Sequence, residues 1–124
     1  MGQQTQPYKR LALVVEDDPV QRETIVTLLQ ESDMDVIQCE SGEAAEMVLE
    51  HVGGCLTTLL TDVSLAGSMD GIELAQIAHE RYPALRIVVI SANPRVSRLP
   101  DGTQFLSKPW SPLELLRQTQ MTCH

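Results

Sequence analysis

Five polar residues, far apart in this chain, each stand where a short apolar run stops. Glu16 and Asp17 follow the run 11–15, Asp62 follows 59–61, Ser91 follows 87–90, and Lys108 follows 105–107. If these runs are parallel strands of one sheet, all five side chains gather at its carboxyl edge. Open α/β sheets bind their ligands at that edge.

The segments between the runs carry helix punctuation. Asp18 is placed to cap a helix with Pro19 at its first position, and Ile25, Leu28 and Leu29 give that helix an apolar stripe. Residues 36–39 read as a short second strand. Ser41 then caps a helix with Ala45, Val48, Leu49 and Val52 on its buried face, and Gly53 and Gly54 stop it. Asp70 and Glu73 have capping-box spacing ahead of Ile72, Ala75 and Ala78, on a helix that ends before Pro83. Ser111 and Glu114 repeat the device around Pro112, opening a last helix whose apolar residues are Leu113, Leu116 and Met121.

Alternating strands and helices with nearly continuous apolar strands predict an α/β fold, a flavodoxin-like doubly wound five-stranded parallel sheet in the order 2-1-3-4-5. Its topological switch point lies between the first and third strands. Glu16, Asp17 and Asp62 end those two strands, so the topology alone brings the three carboxylates together.

Composition narrows the function. A length of 124 residues suits one domain, over residues 10–122, after a polar flexible tail over 1–9. Aromatic residues are 3% of the chain, so the core must be aliphatic. A formal charge of −8 disfavours nucleic acid and anionic membranes as direct partners. No run approaches the roughly 18 apolar residues of a membrane span, and no signal peptide is visible. Cys39, Cys55 and Cys123 lack disulfide or zinc spacing, Cys39 and Cys55 reading as small core residues. A cytoplasmic setting is expected. His51, His79 and His124 have no companions at ligand spacing and read as surface residues.

Three carboxylates within a few Å repel one another, an arrangement that makes sense when a hard cation such as Mg²⁺ is shared among them. An incoming phosphoryl group would then meet Asp62 as the nucleophile, with Lys108 and the Ser91 hydroxyl on its other oxygens. Taken singly, each residue has an ordinary reading: a solvated helix cap for 16–18, a loop carboxylate for Asp62, a surface lysine for Lys108. Their coincidence at strand ends favours the shared site.

The chain resembles the receiver domain of two-component response regulators. The resemblance rests on Val14-Val15-Glu16-Asp17-Asp18-Pro19, on Leu59-Leu60-Thr61-Asp62, on Met69-Asp70-Gly71, on Ser91-Ala92 and on Lys108-Pro109, in family order over residues 11–121. It implies that Glu16, Asp17, Asp62 and the Ser64 backbone carbonyl bind Mg²⁺, and that Asp62 is phosphorylated. Ser91 would be the switch hydroxyl, Lys108 the phosphate-binding lysine and Phe105 the switch aromatic. Ser64 and Asn93 would tune phosphoryl lifetime, and the bond before Pro109 would be cis. The implied phosphodonor is a sensor histidine kinase or a histidine phosphotransfer protein, and a downstream protein effector is the implied target.

Two departures from the family pattern stand out. The loop between Asp62 and Gly71 is one residue longer than the commonest form, with Ala66 where proline is frequent. The stretch 92–104 holds Pro94, Pro100 and Gly102, so the family's fourth helix is expected to be short or absent. Two other readings compete: a pseudo-receiver that binds partners without phosphorylation, and an aspartate-based phosphatase of the haloacid dehalogenase type. The phosphatases place an acid two residues after the nucleophile, where this chain has Ser64. No nucleotide-binding loop is present, which makes a protein the expected phosphodonor.

Overall fold

The computed structural model describes residues 10–120. In chain order it forms β1 (Leu11–Val15), α1 (Pro19–Glu31), β2 (Asp35–Cys39), α2 (Gly42–Val52), a 3-10 turn (Gly53–Cys55), β3 (Thr58–Asp62), α3 (Gly71–Arg81), β4 (Arg86–Ser91), β5 (Gln104–Ser107) and α4 (Pro112–Gln120). The five strands pair in parallel in the order β2-β1-β3-β4-β5. The flavodoxin-like topology read from the apolar runs is the one observed. The tail over 1–9, Met121, Cys123 and His124 lie outside the described residues.

Alternation along each strand builds two cores. Leu13, Val15, Leu59, Ile87 and Val89 face α2 and α3, where Ala45, Leu49, Leu74 and Ala78 meet them. Ala12, Val14, Leu60, Val88 and Ile90 face the other way, onto Ile25, Val26 and Leu29 of α1 and Leu115 of α4. Both sheet faces are covered, which is why the central strands carry so few polar residues.

The caps fall on the residues read from sequence. The Asp18 side chain accepts from the Val20 amide, and Ser41 Oγ from the Ala44 amide. Asp70 and Glu73 form a complete capping box, and Ser111 and Glu114 exchange the same pair of bonds. Three expectations are corrected. Leu113 is 64% exposed while Leu115 is fully buried. Starting the helix at Pro112 turns Leu115 and Thr119 toward the sheet and leaves Leu113 on the outer side of the first turn. Cys55 is exposed, because it sits in the 3-10 turn rather than on a core-facing element. His79 is half-buried, whereas His51 is exposed as expected.

Gly53 has its own reason to be glycine. Its backbone is right-handed, so no left-handed cap is involved. A Cβ there would lie 2.3 Å from the Tyr82 ring, whose hydroxyl donates to Leu49 O at 2.8 Å. Gly53→Ala is therefore expected to push the ring aside, break that bond and cost about 2 kcal/mol in a urea titration.

No helix forms between β4 and β5. The segment is instead held by short bonds: Asn93 N donates to Ser91 Oγ at 2.9 Å, Arg95 N to Asn93 Oδ1 at 2.9 Å, and Gln76 Nε2 to Arg98 O at 2.7 Å. Leu99 packs onto the α2–α3 core and takes over part of the cover a helix would give.

Candidate functional site

The carboxyl ends of β1, β3, β4 and β5 are drawn together by the sheet register. Asp62 is level with Ile90 and Ser91 with Ser107, while Val63 N donates to Ile90 O and Lys108 N to Ser91 O. Asp62 and Glu16 are almost fully buried, at 4% and 2% exposure. Lys108 Nζ reaches Asp62 Oδ2 at 2.6 Å, its own side chain partly open to solvent. Asp62 Oδ1 accepts from the Ser64 amide at 3.0 Å. A buried carboxylate with one oxygen on an ammonium and the other on an amide is oriented by two elements at once.

Glu16 is anchored by the Asp18 amide on Oε2 at 3.0 Å. Burial, then hydrogen bonding and repulsion from Asp62, pushes its carboxyl up to about 8, against the lowering effect of the Asp18 amide. Burial works against the Lys108 ammonium, but the hydrogen bond and charge of Asp62, with Glu16 and Asp17 behind it, outweigh that and raise its pKa. The pocket is thus short of positive charge.

Asp17 is exposed at the rim of the pocket, its Oδ2 accepting from Ala66 N at 3.0 Å while its carboxyl also lies within hydrogen-bond reach of Glu16. Among the described residues no three His, Cys, Asp or Glu side chains form a ready-made metal cage. Mg²⁺ needs none, since one or two carboxylates completed by waters suffice. Two buried carboxylates and a third at the rim, all hard oxygen donors faced by one ammonium, fit such a cation.

Ser91 is buried at the end of β4 with its hydroxyl oxygen taken by the Asn93 amide. Asn93 is exposed and aims Oδ1 along the β4–β5 segment. Phe105 is half-buried on β5, level with Val89. The Lys108–Pro109 peptide bond is cis.

A family model described as the response regulator receiver domain matches residues 12–120. The chain belongs to this family. The receiver is similar to the response regulator receiver protein CpdR of Brucella abortus, 33% identical over 113 residues, which are 87% of this chain and 92% of CpdR. It is 30% identical over 115 residues to the transcriptional regulatory protein AruR of Pseudomonas aeruginosa, covering 87% of this chain and 47% of AruR. The chain therefore spans about half the length of that regulator. The receiver domain of the hybrid histidine kinase CckA superposes with a TM-score of 0.76 at 27% identity, over 87% of this receiver and 94% of that one. Among the described residues no helix is long and apolar enough to cross a membrane.

Arg22 and Glu43 escaped the sequence reading, and so did the packing role of Gly71. A Cβ at Gly71 would lie 2.0 Å from Asp62 O, so only glycine lets α3 start against the end of β3. Arg22 Nη1 donates to Glu16 O at 2.8 Å and its Nε to Gln38 Oε1 at 3.1 Å, tying α1 to the ends of β1 and β2. Glu43 bonds Ser68 in the β3–α3 loop. Gly71 carried a sequence signal, a glycine directly after the Asp70 cap. Arg22 and Glu43 read as solvated helix residues because their partners come from other elements.

Proposed function

We propose that the receiver accepts a phosphoryl group on Asp62 from a phosphohistidine of a sensor histidine kinase or phosphotransfer protein, in a Mg²⁺-dependent reaction, and that the modification changes its binding to a downstream protein in the cytoplasm. The observation that carries this reading is Asp62 itself: a buried strand-end carboxylate, held by the Ser64 amide and paired with Lys108 at 2.6 Å.

A carboxylate oxygen of Asp62 forms its bond to phosphorus while the bond from phosphorus to the donor's ring nitrogen breaks. The electron pair returns to that nitrogen, and a proton on the other ring nitrogen lets the imidazole leave neutral. Lys108 needs only a small shift from Asp62 to pair with a phosphoryl oxygen, and its full charge is retained there. The Ser91 hydroxyl already accepts from the Asn93 amide, which leaves its proton free to donate to another phosphoryl oxygen. Mg²⁺, held by Glu16, Asp17, Asp62 and the Ser64 carbonyl, would supply the neutralising charge for the phosphoryl oxygens.

Phosphorylation adds about 1.5 to 2 negative charges at Asp62. Ser91 and Phe105 are the residues whose two placements would report that charge, and the shift between them is limited by how differently each placement binds the phosphoryl group. By the family resemblance Ser64 and Asn93 hold the positions that flank the phosphoryl group, and they would set the lifetime of the product.

Incubation with Mg²⁺ and acetyl phosphate is expected to add one acid-stable, base-labile phosphoryl group by intact mass, absent from Asp62→Asn. Beryllofluoride is expected to change the emission of Trp110, which packs half-buried beside the α1–α4 core. Repeated turnover of a small phosphate ester would instead assign the pocket to a hydrolase. Silence under all these conditions would leave a pseudo-receiver.

A further inference from the structure

Residues 63–70 join β3 to α3 and close on themselves, Gly71 N donating to Val63 O at 2.8 Å. This is the loop with the extra residue, and two carboxylates from distant elements hold it. Asp17 takes the Ala66 amide at 3.0 Å. Glu43, in the first turn of α2, accepts through Oε2 from the Ser68 amide at 2.9 Å and from the Ser68 hydroxyl at 2.7 Å. Between them Gly67 has φ +97, and a Cβ there would meet Glu43 Oε1 at 2.9 Å. Glycine therefore supplies both the conformation and the space that let the loop wrap onto the carboxylate.

Gly42, beside Glu43, is equally confined: a Cβ would meet the Met69 side chain at 3.0 Å and Met69 O at 3.1 Å. The start of α2 is thus seated on the far end of the loop. The Ser68 hydroxyl and amide hold the Glu43 carboxyl below its ordinary range, as expected of a charge-assisted pair. At the near end of the same loop, the Ser64 amide holds Asp62 Oδ1 at 3.0 Å.

We propose that Glu43 is a positioning residue for the chemistry at Asp62: its clamp on Ser68 fixes the enlarged β3–α3 loop, and with it the Ser64 amide and carbonyl beside the acceptor carboxylate. The inference rests on Asp62 being the phosphoacceptor. Glu43 touches no reacting atom and acts only through the loop. Groups that hydrogen-bond a metal ligand directly change metal affinity by about 10- to 100-fold when removed, and Glu43, one step further out, is placed at the lower end of that range.

The test compares the wild type with Glu43→Ala and Glu43→Gln by amide exchange at Ser68, Mg²⁺ titration followed through Trp110 emission, and phosphorylation by acetyl phosphate. Glu43→Ala is expected to speed exchange at Ser68, weaken Mg²⁺ about tenfold and slow phosphorylation, while its melting temperature stays near that of the wild type. Glu43→Gln keeps an oxygen able to accept both Ser68 bonds and is expected to recover most of the loss. Unchanged Mg²⁺ affinity and rate in Glu43→Ala would overturn the role, as would a loss that glutamine does not recover or that follows the melting temperature. If the wild type takes no phosphoryl group, the assignment of Asp62 fails and the positioning role falls with it. Exchange at Ser68 then still reports whether the clamp exists.

Discussion

Gly71→Ala is expected to destabilise the receiver by about 3 kcal/mol or more and to displace the acceptor carboxylate with it. The new Cβ would lie 2.0 Å from Asp62 O, 2.8 Å from Asp62 C and 2.9 Å from Val63 Cα. All three are backbone atoms of the strand end that carries the site. No side chain can swing away, so either α3 must shift or the end of β3 must bend. The buried pair between Asp62 and Lys108 is lost or lengthened in both cases. Urea titration measures the first effect and the rate of acetyl phosphate labelling the second. Gly102→Ala is the control: φ there is +84 but nothing lies within 4 Å, so only the conformational strain of about 1 to 2 kcal/mol is expected, with labelling unchanged. Equal losses at the two glycines would show that close approach is not what Gly71 provides.

Without a divalent cation, stability is expected to fall as pH rises from about 5 to about 9, by on the order of 3 kcal/mol. The cause is Glu16, whose carboxyl is raised from 4.5 to about 8 by burial and by the adjoining Asp62. A folded state with the higher pKa binds more protons than the unfolded chain between those values, so its advantage is complete below the unfolded pKa and lost as pH passes through the folded one. Lys108, also raised, loses its contribution in the same direction but only at more alkaline pH. Glu16→Gln is expected to flatten the Glu16 part of the profile and to stabilise the protein at pH above about 8. Mg²⁺ is expected to do the same to the wild type, because binding takes the deprotonated carboxylates. Thermal melts across pH, with and without Mg²⁺, read both effects. A cation-free profile that stays level between those pH values would contradict the assignment of Glu16 as a desolvated partner of Asp62.

The Glu16 effect could be anticipated from strand ends, whereas the Gly71 effect could not. Apolar runs, their parallel order and the capping residues were legible because each is a pattern within a few residues, set by strand alternation, helical period and the unpaired amides of a first turn. Glu16 and Asp62 converge because β1 and β3 are neighbours at the switch point, a consequence of topology that needs no coordinates. The absence of a helix after Ser91 lies within the expectation of a short or absent one, set by Pro94, Pro100 and Gly102.

Other features depend on how separate elements meet. The spacing from the Ser111 cap put Leu113 and Leu116 on the apolar face of the last helix, and the docking of α4 on the sheet buried Leu115 and left Leu113 exposed. Gly53 ends α2 as read from sequence, but that it also seats the Tyr82 ring was not legible there. Asp17 joins the acidic set as its position implied, but its second partner, the Ala66 amide, comes from the β3–α3 loop and could not be read from sequence. By itself the sequence determined which residues reach the carboxyl edge, because that follows from where each strand ends. Only the tertiary structure decided which of them touch, since a hydrogen bond is won or lost within about 1 Å and that distance is set by sheet twist, loop course and packing.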